Sequence, residues 1–248
     1  MFTGDFVRLA RRAIVGPYLA TFLYGSYARG DFKEDSDVDI IQVTPVHSAP
    51  YSAGNVNITC YTRDQLLRLA GAGSLFVMHL VSEAVVLDDP SCLLDAMKSA
   101  YVPPASYAPF YKELAGALPI VAITQSAFDE APLAYAATAS YLLRSFAYAR
   151  AVELGNKTFA MEDVVKVIGD NRLLARLRNL RLNRDYRAFC GVVELLFEFA
   201  NRAFLYRTEP LDVFVVNSYG VCDLAVVLGL RVLSKGNLFT YVFLEPKS

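Results

Sequence analysis

The sequence predicts an α/β (α+β) domain with a mixed sheet, followed by an all-α helical bundle domain. Short strand-like runs alternate with helical segments in the first hundred residues, and long helical periodicities replace them afterwards. A proline-rich segment at 101–109 separates the two patterns. With 248 residues, 54% of them hydrophobic, the chain can bury a sizeable core. We therefore expect one domain at residues 1–102 and another at 103–248.

The first half alternates helices and strands. Apolar residues at 5–14 recur at helical spacing, Gly16-Pro17 ends that pattern, and an aromatic run at 18–24 predicts a strand that ends at Gly25. The later elements are a helical turn at 26–30, a loop at 31–36, strands at 37–44 and 55–62, a helix at 63–70 and a strand at 84–87.

The second half carries only helical patterns. They cover residues 133–154, 161–168, roughly 173–206 and 213–233, with glycine, asparagine or proline at the breaks. We interpret the tyrosines of the first of these helices as core residues, because a buried tyrosine needs one partner for its hydroxyl.

An arginine-rich segment in the second half has two interpretations. Leucines lie between its arginines, so it is amphipathic, and it could clamp a triphosphate or a nucleic acid, or form a solvated helix face. We favour the solvated face, since no aromatic residues alternate with the arginines as a stacking platform requires. The arginines are Arg172, Arg176, Arg178, Arg181, Arg184 and Arg187.

Charge and composition exclude several classes of protein. The net charge of -1 gives no global attraction to nucleic acid or anionic lipid, so any polyanion site must be local. The four widely spaced cysteines and two histidines lack the ligand spacing of a zinc site and indicate a reducing compartment. Without a signal-like start or an unbroken apolar span, we expect a cytoplasmic protein that has no membrane partner.

A short segment after the first strand has the chemistry of a phosphate site. Gly25 permits a tight turn that lets the backbone approach a ligand, and the amide groups after it point outward from a helix start. Ser26 adds a hydroxyl donor. Arg29 follows on the same side of the turn, where a phosphate oxygen could reach it.

An acidic pair follows on the next predicted strand. Asp37 and Asp39 are two residues apart, so they share a face of the strand while Val38 and Ile40 enter the core. Two neighbouring carboxylates repel each other unless a cation lies between them, and a hard divalent ion such as Mg²⁺ suits them. A metal beside a phosphate cradle indicates a nucleotide.

This arrangement resembles the DNA polymerase β-like nucleotidyltransferase superfamily, in particular its minimal and aminoglycoside-type members with a C-terminal helical domain. The superfamily signature is a hydrophobic strand, Gly-Ser, about ten residues and Asp-x-Asp. Here ten residues separate Ser26 from Asp37-Val38-Asp39. The resemblance covers roughly the first hundred residues.

The resemblance implies a function for each of these residues. Gly25 and Ser26 would bind the phosphates of a nucleoside triphosphate, with Arg29 as a further nucleotide-binding residue. Asp37 and Asp39 would be the catalytic, metal-binding carboxylates for two Mg²⁺ (or Mn²⁺) ions. A nucleoside monophosphate, AMP if the donor is ATP as we predict, would pass by in-line attack on the α-phosphate to an acceptor hydroxyl, in a cleft between the two domains.

One position departs from the family pattern. The third carboxylate is expected on the next core strand, where the sequence reads Val56-Asn57-Ile58. An amide cannot take a proton from a hydroxyl. Another carboxylate, such as Glu83, Asp88, Asp89 or one from the helical half, could substitute. Alternatively, the acceptor could bring its own, or the chain could be a nucleotide-binding sensor or scaffold.

The identity of the acceptor is not encoded in these motifs. A small molecule, a protein or an RNA end remains open as the acceptor, and the apolar composition is compatible with a homo-oligomer.

Overall fold

The computed structural model describes residues 11–34 and 36–236. Within them one compact unit ends at Ala105 and another begins at Ser106. The predicted fold class is confirmed, because a mixed sheet in the first unit is followed by helices in the described part of the second. Of the helix predicted at 5–14, residues 11–13 are helical and 5–10 lie outside the described residues.

The first unit contains one five-stranded sheet. Its order is β3-β4-β2-β1-β5; β2 and β4 run parallel, and the other neighbours are antiparallel. The four predicted strands are present with ends shifted by at most two residues, whereas β3 is too short to show a periodicity. The strands are β1 (Ala20–Tyr24), β2 (Val38–Thr44), β3 (Tyr51–Ala53), β4 (Val56–Thr62) and β5 (Val85–Asp88).

Both faces of the central strands are covered. Every residue of β1 is buried, and in β2 only Asp39 is partly exposed. Nearly uninterrupted burial of this kind is typical of strands packed on both faces. The site-bearing strand β2 is therefore held by hydrogen bonds on both edges and by packing on both faces.

Besides the helical residues 11–13, four helices accompany the sheet in the described part of the first unit. A capping box begins the second of them: the Gln65 amide donates to Thr62 Oγ1 at 3.2 Å, and the Thr62 amide donates to Gln65 Oε1 at 2.8 Å. The third and fourth helices were not predicted from the sequence. The helices are α1 (Ser26–Arg29), α2 (Arg63–Gly71), α3 (Leu75–Glu83) and α4 (Leu93–Ala100).

Within the described part of the chain, no single helix has both the length and the apolar character to cross a membrane. The pair α2 and α3 meets those two criteria only when counted together, and it is bent by 106°.

The second unit is a helical bundle around α7. Its helices are α5 (Ala108–Ala117), α6 (Gln125–Glu130), α7 (Pro132–Glu153), α8 (Met161–Ile168), α9 (Arg172–Asn183), α10 (Tyr186–Phe199), α11 (Leu211–Ser218) and α12 (Asp223–Leu233), with a 3₁₀ turn at Leu118–Ile120. Leu142 and Phe146 of α7 share one buried cluster with Phe189 of α10 and Leu228 of α12. A cluster of this kind joins the helices into one core.

Two long helices predicted from the sequence are wrong. The segment at 173–206 is divided because Arg184 adopts a left-handed conformation (φ 53°) and Asp185 accepts the Ala188 amide at 2.7 Å, which starts α10. The segment at 213–233 is divided into α11 and α12. Cys222 caps the N-terminus of α12, because its Sγ accepts a hydrogen bond from the Ala225 amide at 3.4 Å.

The arginines of α9 pair with acids of neighbouring helices, which supports the solvated-face interpretation. Arg172 contacts Glu198 at 2.9 Å and Arg178 contacts Glu162 at 2.9 Å, and all four side chains are largely exposed. The prediction for the tyrosine-bearing helix is confirmed at Tyr135, which is buried in the core.

Candidate active site

The turn between β1 and α1 is built around Gly25. Its φ of 75° and ψ of -154° belong to a region that residues with a side chain rarely adopt. The Arg29 amide donates to the Gly25 carbonyl at 3.1 Å, and the Gly30 and Asp31 amides donate to the Ser26 carbonyl at 2.9 and 3.1 Å. The single helical turn that carries Ser26 is therefore fixed at both ends.

Gly25 also leaves room for a carboxylate. A Cβ atom at this position would lie 3.0 Å from Asp39 Oδ2, closer than ordinary van der Waals contact. Asp39 reaches that place because it is paired with Tyr24 in the β1–β2 ladder. From the sequence, the space beside Gly25 was expected to hold a ligand; the structure shows that Asp39 occupies part of it.

The second acid of the pair lies just outside the strand. Asp37 is exposed and precedes β2, while Asp39 is partly buried within it. The Val38 amide between them donates to the Asn55 carbonyl at 2.9 Å, which fixes the start of the strand. The structure thus brings Asp39 against the Gly25 turn and leaves Asp37 accessible to solvent.

Asn57 lies beside Asp39 on the parallel neighbour β4. Ser52 of β3 donates its hydroxyl to Asn57 Oδ1 at 3.0 Å, so the amide is oriented by the β3–β4 hairpin. The place where the family pattern has a third carboxylate is therefore neutral, and its side chain is already engaged.

The other acids considered for this role serve other contacts. Asp89 accepts the amides of Leu93 and Leu94, both at 2.9 Å, at the start of α4. Glu83 pairs with Arg29, and Asp88 lies in β5 opposite Thr21. Across residues 11–34 and 36–236, no three His, Cys, Asp or Glu side chains are grouped so that they could hold a metal ion.

Arg29 is held between two carboxylates. Its Nε lies 3.2 Å from Asp31 Oδ2 and its Nη1 lies 2.9 Å from Glu83 Oε2. Burial opposes the charge, but hydrogen bonds and attraction from Glu83 and then Asp31 outweigh it, so the pKa of Arg29 is raised. The guanidinium therefore stays charged beside the Ser26 turn.

The contact between His79 and Glu83 was not predicted from the sequence. His79 Nε2 lies 2.9 Å from Glu83 Oε2, one helical turn away on α3. Burial opposes ionisation of Glu83, yet His79 and then Arg29 stabilise the anion, so the pKa of this carboxyl is lowered. The i,i+4 spacing of a histidine and a glutamate in an apolar run was the available signal.

Comparison with known families agrees with this geometry. Residues 16–70 match the family described as "Nucleotidyltransferase domain". The match contains β1, the Gly25 turn and β2, and it confirms the recognition made from Gly-Ser and Asp-x-Asp. No curated protein matches the chain significantly. The matched domain supports nucleotidyl transfer as the general class of activity.

Proposed function

We propose that the chain transfers a nucleoside monophosphate, AMP from ATP, to an acceptor hydroxyl. The observation that carries the proposal is the position of Asp39 Oδ2 in the space that a Cβ of Gly25 would need, which brings the two parts of the motif to one place. In this reaction the acceptor oxygen forms a bond to the α-phosphorus, the bond to the β-phosphate bridging oxygen breaks, and pyrophosphate leaves. The hydroxyl proton passes to solvent or to a base of the acceptor.

The nucleotide end of the proposed site is the Gly25 turn. The backbone at Gly25 and the hydroxyl of Ser26 would bind the triphosphate, because amide and hydroxyl donors at a helix start suit phosphate oxygens. Arg29, charged and attached to the same turn, would add a donor with a fixed orientation.

The metal end of the proposed site is Asp37 and Asp39. Carboxylate oxygens are the ligands that Mg²⁺ and Mn²⁺ prefer, and the absence of a Cβ at Gly25 leaves room for Asp39 Oδ2 beside the turn. A divalent ion bound there would supply Lewis acidity at the α-phosphate. The role of the chain's own residues would be to place two acids beside the phosphate-binding turn.

Asn57 restricts what the chain can do to the acceptor. Its amide cannot accept a proton, and its Oδ1 already accepts a hydrogen bond from Ser52. The proposed acceptor therefore carries an acidic hydroxyl or its own base; a small molecule, a protein side chain and an RNA end all remain candidate classes.

A second function is favoured by the same asparagine. A chain that keeps the phosphate turn and the acid pair but lacks a third carboxylate could bind nucleotide as a sensor or scaffold without turnover. The two functions differ in whether pyrophosphate is released.

The test is incubation of the purified chain with ATP labelled on the α-phosphate, in Mg²⁺ or Mn²⁺, with candidate acceptors of each class. We expect pyrophosphate release and a labelled acceptor, both abolished in Asp39→Asn and Asp37→Ala. The matched control Asp95→Asn, at an exposed residue of α4, should keep full activity. Tight ATP binding without release would favour the sensor, and absence of binding would contradict both functions.

A further inference from the structure

A partly buried polar cluster joins α1 to α3 in the first unit. Arg29 Nη1, Glu83 Oε2 and His79 Nε2 form it, with Glu83 at 2.9 Å from each of the other two and His79 at 3.4 Å from Arg29. The three side chains are only 13–18% exposed. The cluster is thus a partly buried part of the packed structure of this unit, not a surface contact.

Stability alone does not account for these residues. The other side chains of α3 are mainly apolar, and Val77, Met78 and Leu80 are buried. Replacement of a partly buried ion pair by packed apolar residues is often neutral or stabilising. The presence of a glutamate and a histidine in this helix therefore indicates that they orient the Arg29 guanidinium for a functional contact.

The contacts fix the plane of the guanidinium and leave one edge available. Asp31 accepts from Nε and Glu83 accepts from Nη1. Among the described residues no protein acceptor is bonded to Nη2 of Arg29. Because the backbone of Arg29 belongs to the Gly25–Ser26 turn, this third nitrogen is carried by the phosphate-binding segment.

We infer that Glu83 is a positioning residue, which holds Arg29 so that Nη2 donates to the terminal phosphates of a nucleoside triphosphate. This inference rests on the proposed function and deepens it, since it names the part of the nucleotide that Arg29 recognises. Glu83 is then the partner of Arg29 and not a substitute for the third carboxylate. His79 contacts the same oxygen of Glu83 and orients it.

The test compares the dissociation constants of ATP and AMP for the full chain in Mg²⁺. In Glu83→Gln, which keeps the shape but removes the charge, we expect ATP binding to weaken about tenfold and AMP binding to change by less than about twofold. A variant that only lowered the folded fraction would weaken both nucleotides by the same factor. Glu83→Asp, shorter by one methylene, should give the same selective loss and serves if Glu83→Gln does not fold.

A double-mutant cycle with Arg29→Gln separates action through Arg29 from a direct contact. If Glu83 acts through Arg29, Glu83→Gln has no further effect on ATP binding once Arg29 is replaced. Asp95→Asn, which removes a carboxylate from an exposed ion pair with Lys98, should change neither constant.

Two different failures are distinguishable. The inference alone would be overturned if the wild-type chain binds ATP but Glu83→Gln leaves the ratio of the ATP and AMP dissociation constants unchanged. Additive effects of the two substitutions in the double-mutant cycle would overturn it as well. A wild-type chain that binds no nucleoside triphosphate would overturn the proposed function together with the inference.

Discussion

Gly25 has two separate reasons to be glycine, and they can be measured apart. Its φ of 75° disfavours any side chain, and its missing Cβ makes room for Asp39. Gly54, in the β3–β4 hairpin, also has a positive φ (63°), but nothing lies within 4 Å of its Cβ position. Gly54 therefore provides a control with backbone strain and no steric conflict.

We expect Gly25→Ala to cost about 1–3 kcal/mol of unfolding free energy from backbone strain, with a further loss from the displaced carboxylate. Gly54→Ala should show only the strain. Urea denaturation of both variants, and of Gly25→Ala in an Asp39→Ala background, measures the difference. Equal losses in the two single variants would show that the contact with Asp39 is energetically unimportant.

Glu83 predicts a pH-dependent contribution to stability. Because its pKa is lowered in the folded chain, its contribution is fully present above the pKa of an unfolded glutamate, about 4.3, and is lost as the pH falls through the lower folded-state pKa. We expect Glu83→Gln to be less stable than wild type at pH 7 by about 1–3 kcal/mol.

The difference between these two proteins should shrink steadily below about pH 4, as followed by urea denaturation at a series of pH values. Asp95→Asn should leave the profile unchanged. A difference between wild type and Glu83→Gln that stayed constant down to pH 2 would show that the charge of Glu83 contributes nothing.

At the scale of the element, two threonines that precede helices test the capping box. Thr62 accepts the Gln65 amide, whereas Thr124 precedes α6 without a side-chain cap bond. Thr62→Ala should cost about 1 kcal/mol, and Thr124→Ala should be close to neutral. Thermal unfolding of the two variants gives the comparison, and equal shifts in Tm would contradict the assignment of the cap.

The break between α9 and α10 gives a substitution of opposite sign. Arg184 adopts φ 53°, a conformation that costs a non-glycine residue about 1–2 kcal/mol. Arg184→Gly should therefore stabilise the chain by up to about 1 kcal/mol after the greater freedom of the unfolded glycine is counted. Arg181→Gly, inside α9, should destabilise by a similar amount. The midpoints of urea denaturation of the two variants measure these changes in stability. A loss of stability in both variants would contradict the left-handed conformation of Arg184.

The elements that could be predicted are those that end at residues with a strong conformational preference, such as glycine. The strand before Gly25 and the helix α8 before Gly169 end at glycines, and both were located from the sequence. The boundary at Arg184 and Asp185 was missed, since both residue types also occur inside helices and only the tertiary fold selects the left-handed turn. Asp39 and Asn57 lie on the strands where spacing placed them, whereas Asp37, expected on the same strand as Asp39, lies one residue before it. The cluster at Glu83 was not predicted, because 54 residues separate Glu83 from Arg29 and no local pattern encodes their contact.

At the scale of the whole molecule, positive and negative charges are nearly equal in number, and arginines of α9 are paired with nearby acids. The net charge is -1, and these acids include Glu162 and Glu198. We expect random single-stranded RNA to bind more weakly than about 10⁻⁴ M at physiological salt. Fluorescence anisotropy between 50 and 200 mM salt measures it. A steep salt dependence that disappears on replacing Arg181, Arg184 and Arg187 by glutamine would favour the clamp instead.

The central place of β2 has a consequence for variation in chain length. Asp39 is locked into hydrogen-bonded ladders with β1 and β4 on its two sides, so one inserted residue within Val38–Thr44 would turn its carboxylate toward the opposite surface. The described residues between Asp31 and Asp37 belong to no strand, so a residue inserted there does not change the register of β2. Natural or engineered length changes should accumulate there while the distance between the phosphate turn and the acid stays the same.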